Sequence, residues 1–211
     1  MYEPGKPSRR DNGKTGIISA MQSWHAIESL RWIGLLSLAA ILAASIGPVI
    51  KSVSSAGQSI SQLWAAAEKH HLLISVVLTV GGAGLCAYIL GWLIPTYKLW
   101  PGMNFVALAG YLAILAVAWF PMIEAPGLHS WRHPHFIGGA VVAYGAVVGY
   151  LVILLSGTGI PHPSRIIAVI ALAYSAFWPV LFLPGIRNYF MILETILVVL
   201  FIAVIATLTL G

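Results

Sequence analysis

Charge is what this 211-residue chain has least of: Asp, Glu, Lys and Arg make up 8% of it, against about 25% in a typical soluble domain. Asp11 is its only aspartate. A Ser-His-Asp triad is therefore excluded everywhere beyond the N-terminal tail, and no G-x-S-x-G elbow is present to hold a nucleophile. A Ser-His-Glu version would have to draw on Glu68, Glu124 or Glu194. Cys86 is the only cysteine, so the chain forms no internal disulfide and has no cysteine pair for zinc. It also lacks an H-E-x-x-H motif and the repeated histidine boxes that a di-iron desaturase needs.

What fills the chain instead is hydrocarbon, with 59% of residues apolar. A bilayer core requires about 20 apolar residues per helix, and six runs qualify: Trp32–Ile50, Leu72–Ile94, Met103–Phe120, Phe136–Leu155, Ile166–Leu183 and Phe190–Leu210. Lipid offers backbone amides no partners, so each run must be helical. The fold class expected is all-α, an integral membrane six-helix bundle. The first run is too long and too far into the chain for a signal peptide and reads as a retained helix. Residues 1–31 then form a basic tail with an interfacial helix, and residues 32–211 form the membrane domain.

Lys6, Arg9, Arg10, Lys14 and Arg31 precede the first run, and Lys98 and Arg165 fall on the same side of the bilayer. Lys51, Lys69, Arg132 and Arg187 fall on the other. Basic residues favour the cytoplasm. Both termini are therefore expected to be cytoplasmic, in a multi-pass protein of the plasma membrane, the inner membrane of a bacterium. The net charge of +5 reads as attraction to anionic lipid headgroups. With no basic patch interleaved with exposed aromatics, nucleic acid is not expected as a partner.

Two connecting stretches, 17–30 and 56–71, carry apolar residues at the i, i+3, i+4, i+7 spacing of amphipathic helices. Trp24 and Trp64 sit on their apolar stripes, and tryptophan favours the headgroup level. Both read as helices lying flat on the membrane; lids over an opening between helices are the sharper alternative. Within the spans, Gly145–Gly149 is a G-x-x-x-G and Gly81–Gly84 reads GGAG. Small residues let membrane helices approach closely, either within one chain or between two copies. The hydroxyls of Tyr88, Tyr111, Tyr144, Tyr150 and Tyr174 need partners inside the spans and are expected to bond between helices.

Polar chemistry gathers on the extracytoplasmic side. "GLHSWRHPHF", residues 127–136, holds three of the seven histidines. His71 opens the second span, Glu124 follows the third, and Glu194 lies about one turn into the sixth. A carboxylate within a span costs about 2.5–3.5 kcal/mol on insertion scales, so it faces the bundle interior or water. Pro134 belongs in the first turn of the fourth helix. It pushes His133 out of helical geometry into a capping position and leaves His135 turned toward the bundle. Arg132 is placed to hold a phosphate by paired hydrogen bonds. The candidate ligand-binding set is His129, Arg132, His133, His135, Glu194, Glu124 and His71. Zinc on two of the histidines plus a glutamate, or haem between histidines at this depth, are alternatives; no metal or cofactor is assigned.

Phe120-Pro121 closing the third span, a short loop with His129 and His135, a fourth span rich in small residues and Glu194 early in the sixth resemble the DRAM/FRAG/SFK superfamily of six-helix membrane proteins. The likeness covers residues 100–211 best and is nearest to the superfamily's prokaryotic relatives, whose function is not established. Eukaryotic relatives include a factor acting on the lipid moiety of GPI anchors, so the resemblance implies lipid handling at the extracytoplasmic leaflet. Where the superfamily tends to carry an Ile-Ser-Asp-like element after the first span, this chain reads "IGPVIKSVSS". Membrane lipids are thus the expected partners, joined by a membrane-protein partner or a second copy of the chain. The other functions weighed are a non-catalytic subunit of a larger membrane complex and a metal-dependent membrane enzyme using His129, His133 and His135.

Overall fold

The computed structural model describes residues 28–44, 71–120, 132–176 and 190–211. Almost all of both interfacial stretches and most of the histidine loop lie outside them. The described residues form six helices and no strand: α1 over 28–44, α2 His71–Tyr97, α3 Met103–Trp119, α4 Pro134–Ser156, α5 His162–Ala176 and α6 Phe190–Leu210. Three are long and apolar enough to cross a membrane: His71–Tyr97, Pro134–Ser156 and the Ile192–Leu210 part of α6. The 17 residues of α3 reach roughly 25 Å at 1.5 Å per residue, slightly less than a hydrocarbon core of about 30 Å. Bulky side chains such as Phe105 and Leu155 are 77% and 83% exposed. An outer surface of that kind fits hydrocarbon and would be an aggregation liability in water. The chain is built as a membrane protein.

Glycines set how closely the helices approach. α1 lies on α2 where Gly34 receives the ring of Tyr88 and Gly84 receives the Ser37 hydroxyl. The GGAG segment therefore serves two neighbours, because Gly82 between them faces Tyr111 and Ile114 of α3. The closest approach to another helix's backbone joins α3 to α4: a Cβ on Gly138 would sit 2.6 Å from the carbonyl oxygen of Ala113. Further along α4, Gly145 and Gly149 face Val106 and Met103 of α3. The G-x-x-x-G is used within the chain.

Polar side chains then fasten the helix ends. Near the start of α2, the Ser75 hydroxyl donates to the Ala118 carbonyl of α3 at 2.6 Å. At that same end the Tyr174 hydroxyl of α5 donates to the Leu193 carbonyl of α6 at 2.8 Å. At the opposite end the Thr158 amide, just past α4, bonds the Tyr97 carbonyl of α2 at 2.9 Å. There Arg31 Nε, near the start of α1, donates to the Thr209 carbonyl at the end of α6 at 2.6 Å. Arg31 of the first helix thus lies where the last helix finishes.

α2 carries one irregularity with an identifiable cause. Pro95 has no amide hydrogen, and its ring would collide with the carbonyl four residues back in a regular helix. Residues Ile89–Leu93 adopt a π-helical turn, and the Ile94 amide reaches back to the Ile89 carbonyl. The widened turn accommodates the proline, and the helix continues to Tyr97 before Lys98 ends it in the left-handed region at φ 49°. The turn gathers three aromatics. Tyr88 and Trp92 stack with ring centres 5.3 Å apart, and Tyr97 meets Trp92 edge-on at 6.0 Å. The Arg31 guanidinium lies 5.8 Å from the Trp92 ring centre, within cation–π range. The hydroxyls of Tyr88 and Tyr97 bond the Thr209 hydroxyl and the Leu208 carbonyl. Carbonyls in the last turn of a helix have no partner within it, so Arg31 and Tyr97 supply what α6 lacks.

Candidate functional site

His133 caps α4. Its backbone is extended, with φ −76° and ψ 132°, and its side chain accepts from the His135 amide. The acceptor is Nδ1, at 3.3 Å. Pro134 follows in the first turn, where a missing amide hydrogen costs nothing. His135 turns inward, 8% exposed, and its Nδ1 lies 2.9 Å from the Val117 carbonyl of α3. A carbonyl can only accept, so Nδ1 of His135 carries the proton. The two histidines thereby close the α3–α4 connection: one satisfies the start of α4, the other the final turn of α3.

These roles bear on metal binding. Zinc needs a ring nitrogen with an open lone pair. His133 uses its Nδ1 lone pair on the cap, and in the neutral ring its Nε2 then carries the hydrogen. Binding a metal through Nε2 would move that hydrogen to Nδ1 and break the cap. The described residues contain no group of three His, Cys, Asp or Glu side chains able to hold an ion. His129 and Glu124 lie outside the described residues. Arg132 is exposed beside the cap, and His71, half-buried, is the first residue of α2.

Glu194 lies elsewhere, on the wall of a cavity of about 280 Å³ enclosed by α2, α3, α4 and α6. Ile41 of α1 also reaches it. The wall runs along α4 from Gly139 to Ile153 and along α6 from Glu194 to Ile205, roughly 15–20 Å at the helical rise. Among the described residues it is apolar apart from Glu194, Tyr111, Tyr150 and Cys86, and none of those lining it is Lys, Arg or His. Val117 connects the two regions: it lines the cavity, as Glu194 does, and its carbonyl takes the His135 hydrogen bond. A broader, open furrow of about 480 Å³ runs along α3 and α4 past Phe136 and Tyr144, and it is apolar throughout.

Tyr150 departs from expectation. Of the five span tyrosines, Tyr88 and Tyr174 make the interhelical bonds anticipated for them, and Tyr144 is 59% exposed. Tyr150 is 2% exposed, yet its hydroxyl has no hydrogen-bond partner among the described residues. Such a hydroxyl costs about 1–3 kcal/mol. The sequence singles Tyr150 out only as one tyrosine among several, because bonded and unbonded hydroxyls share the same letter.

No family model matches the chain, and neither a curated protein nor a solved structure matches it.

Proposed function

We propose that the chain is a six-span membrane protein, both termini cytoplasmic, that binds and handles a membrane lipid at the extracytoplasmic leaflet of a bacterial inner membrane. The observation that carries this is the cavity: an elongated, mostly apolar space of about 280 Å³ bounded by α3 and by three helices long enough to cross a bilayer, α2, α4 and α6. Ligand sites are concave and mostly apolar, with few convergent polar groups. Arg132 at the histidine-capped edge of α4 would meet a headgroup phosphate, and the cavity would take an apolar chain. The likeness of residues 100–211 to the DRAM/FRAG/SFK superfamily, with its lipid-acting members, points the same way. A metal site that used His133 would have to break its cap.

Native mass spectrometry of the full chain purified in mild detergent tests the lipid. Retained phospholipid, reduced in Arg132→Gln, is the expected result; a lipid-free protein, or retention indifferent to Arg132, overturns the proposal. Orientation has its own test. Cysteines at Ser8→Cys and Ser130→Cys, with Cys86 replaced, should differ on intact cells. Only the one at 130 should react with an impermeant thiol reagent, and the reverse pattern inverts the topology.

A further inference from the structure

The end of the bundle opposite the His133 cap carries two cations without counter-ions among the described residues. The connections after α2 and after α4 are fastened together there. Thr158 donates its amide to the Tyr97 carbonyl at 2.9 Å and its hydroxyl to the same oxygen at 3.3 Å. Lys98 directly follows Tyr97, and an Arg165 Nη reaches back to the Gly157 carbonyl at 3.5 Å. Both cations are exposed and flank one backbone contact. The acidic side chain described at this end is Glu28, and it lies 3.9 Å from Arg31. Lys98 is also the one non-glycine among the described residues in the left-handed region, at φ 49°. Glycine is the usual residue where a helix stops this way, so what the lysine adds is its charge. Hydrocarbon-facing side chains begin beside the cations. Trp100 is exposed between Lys98 and α3, Phe105 is exposed in the first turn of α3, and Ile166 is exposed next to Arg165. Tryptophan favours the headgroup level. A soluble anion would match the cations alone; an anion that carries acyl chains matches both.

We propose that Lys98 and Arg165 form a binding site for the headgroup phosphate of an anionic phospholipid, with Trp100 beside it and the acyl chains in the hydrocarbon that Phe105 and Ile166 face. Basic sites between membrane helices on the cytoplasmic side hold anionic headgroups in this way. The site lies at the opposite end of the bundle from Arg132 and is separate from the lipid proposed there. Calling its leaflet cytoplasmic rests on the topology proposed above; its chemistry does not.

The test uses the full-length protein in phosphatidylcholine nanodiscs doped with a photoreactive phosphatidylglycerol or a photoreactive phosphatidylcholine. Each probe bears its diazirine at the headgroup end of one acyl chain. Phosphatidylglycerol should label the peptides holding Lys98 and Arg165 saturably, and phosphatidylcholine should label them weakly. Lys98→Gly and Arg165→Gln should each raise the mole fraction of phosphatidylglycerol at half-labelling roughly fivefold, as expected for one basic residue at an anionic headgroup. Because glycine accepts the left-handed backbone without a steric penalty, Lys98→Gly should melt no lower than wild type, so its lost binding is not lost folding. Arg132→Gln should leave this labelling unchanged.

Equal labelling by the two probes overturns the proposal, as does phosphatidylglycerol labelling indifferent to both substitutions. Displacement of the probe by excess inorganic phosphate at constant ionic strength overturns it too, since a soluble anion would then suffice. Any of these results leaves phospholipid retention at Arg132 standing if it is observed. Conversely, labelling that depends on Lys98 and Arg165, with no retention that depends on Arg132, defeats the outer site and supports this one.

Discussion

Tyr88 and Tyr150 are both buried tyrosines in the interior of membrane-length helices, and they end in opposite situations. Around Tyr88 the hydroxyls and the guanidinium have partners: Thr209 for the Tyr88 hydroxyl, the Leu208 carbonyl for Tyr97, the Thr209 carbonyl for Arg31. Around Tyr150 the wall is glycine, alanine and aliphatic side chains, and its hydroxyl is unmatched among the described residues. Polar groups in an apolar medium either find each other or remain unmatched. The first arrangement locks α1, α2 and α6 together at one end. The second keeps space open among α2, α3, α4 and α6.

Mutations that tighten or loosen each region separate them. The largest effect belongs to Gly138→Ala, whose new methyl meets the Ala113 carbonyl. Backbone cannot yield as a side chain does, so a loss of about 2–3 kcal/mol is expected, read by thermal unfolding in detergent. Gly139→Ala beside it meets nothing within 4 Å and should change stability by less than about 0.5 kcal/mol. Equal effects at the two positions would mean that the α3–α4 approach is not as close as described. Next comes Arg31→Ala, which strips the Thr209 carbonyl of its donor and removes a cation from the end of α6. About 1–2 kcal/mol should be lost; a variant as stable as wild type would show that the fastening contributes nothing.

Smaller effects follow at the tyrosines. Tyr88→Phe should cost about 0.6 kcal/mol, the average for a side-chain hydrogen bond between membrane helices. Thr209 limits the damage, because it also bonds the Ile205 carbonyl of its own helix. Tyr150→Phe should cost nothing. Measured side by side in one unfolding series, the two phenylalanines must differ in sign or size, and identical losses would dissolve the contrast between fastening and cavity.

Hydrophobic runs and proline positions made most of the helical pattern legible. Met103–Trp119 and Phe190–Leu210 match the apolar runs to within a residue, since lipid forces helical backbone wherever the run is long enough. Pro134 and His133 announced the start of α4, because proline restricts the residue before it. Pro95 misled at the end of the second run. The expected stop at Ile94 became a continuation to Tyr97, since a π turn absorbs the proline. The helix of the first run already includes residues 28–31, where Arg31 meets the Thr209 carbonyl of α6. Of the candidate site, the sequence placed His133 at its cap and Glu194 inside, as polar residues in apolar surroundings stand out. It gathered Glu194 with the histidines; Glu194 lines the cavity together with Val117, whose carbonyl meets His135, and the rest of the histidine loop lies outside the described residues. The separate state of Tyr150 depends on which residues surround its hydroxyl in three dimensions, and no local pattern encodes that.

The π turn of α2 is also a record of length. A helix that closes one turn over five residues where four would serve holds one residue more than a regular α-helix of the same span. Residues beyond it, Tyr97 among them, are rotated by about a hundred degrees relative to an uninterrupted helix. A relative of this protein lacking one residue between 89 and 93 would turn Tyr97, the partner of the Leu208 carbonyl, away from α6, while Tyr88 before the turn would keep its place against Thr209. Aligned sequences should therefore show the gap and the loss of the Tyr-Trp-Tyr set together, a single indel erasing a contact that substitution would have to dismantle piece by piece.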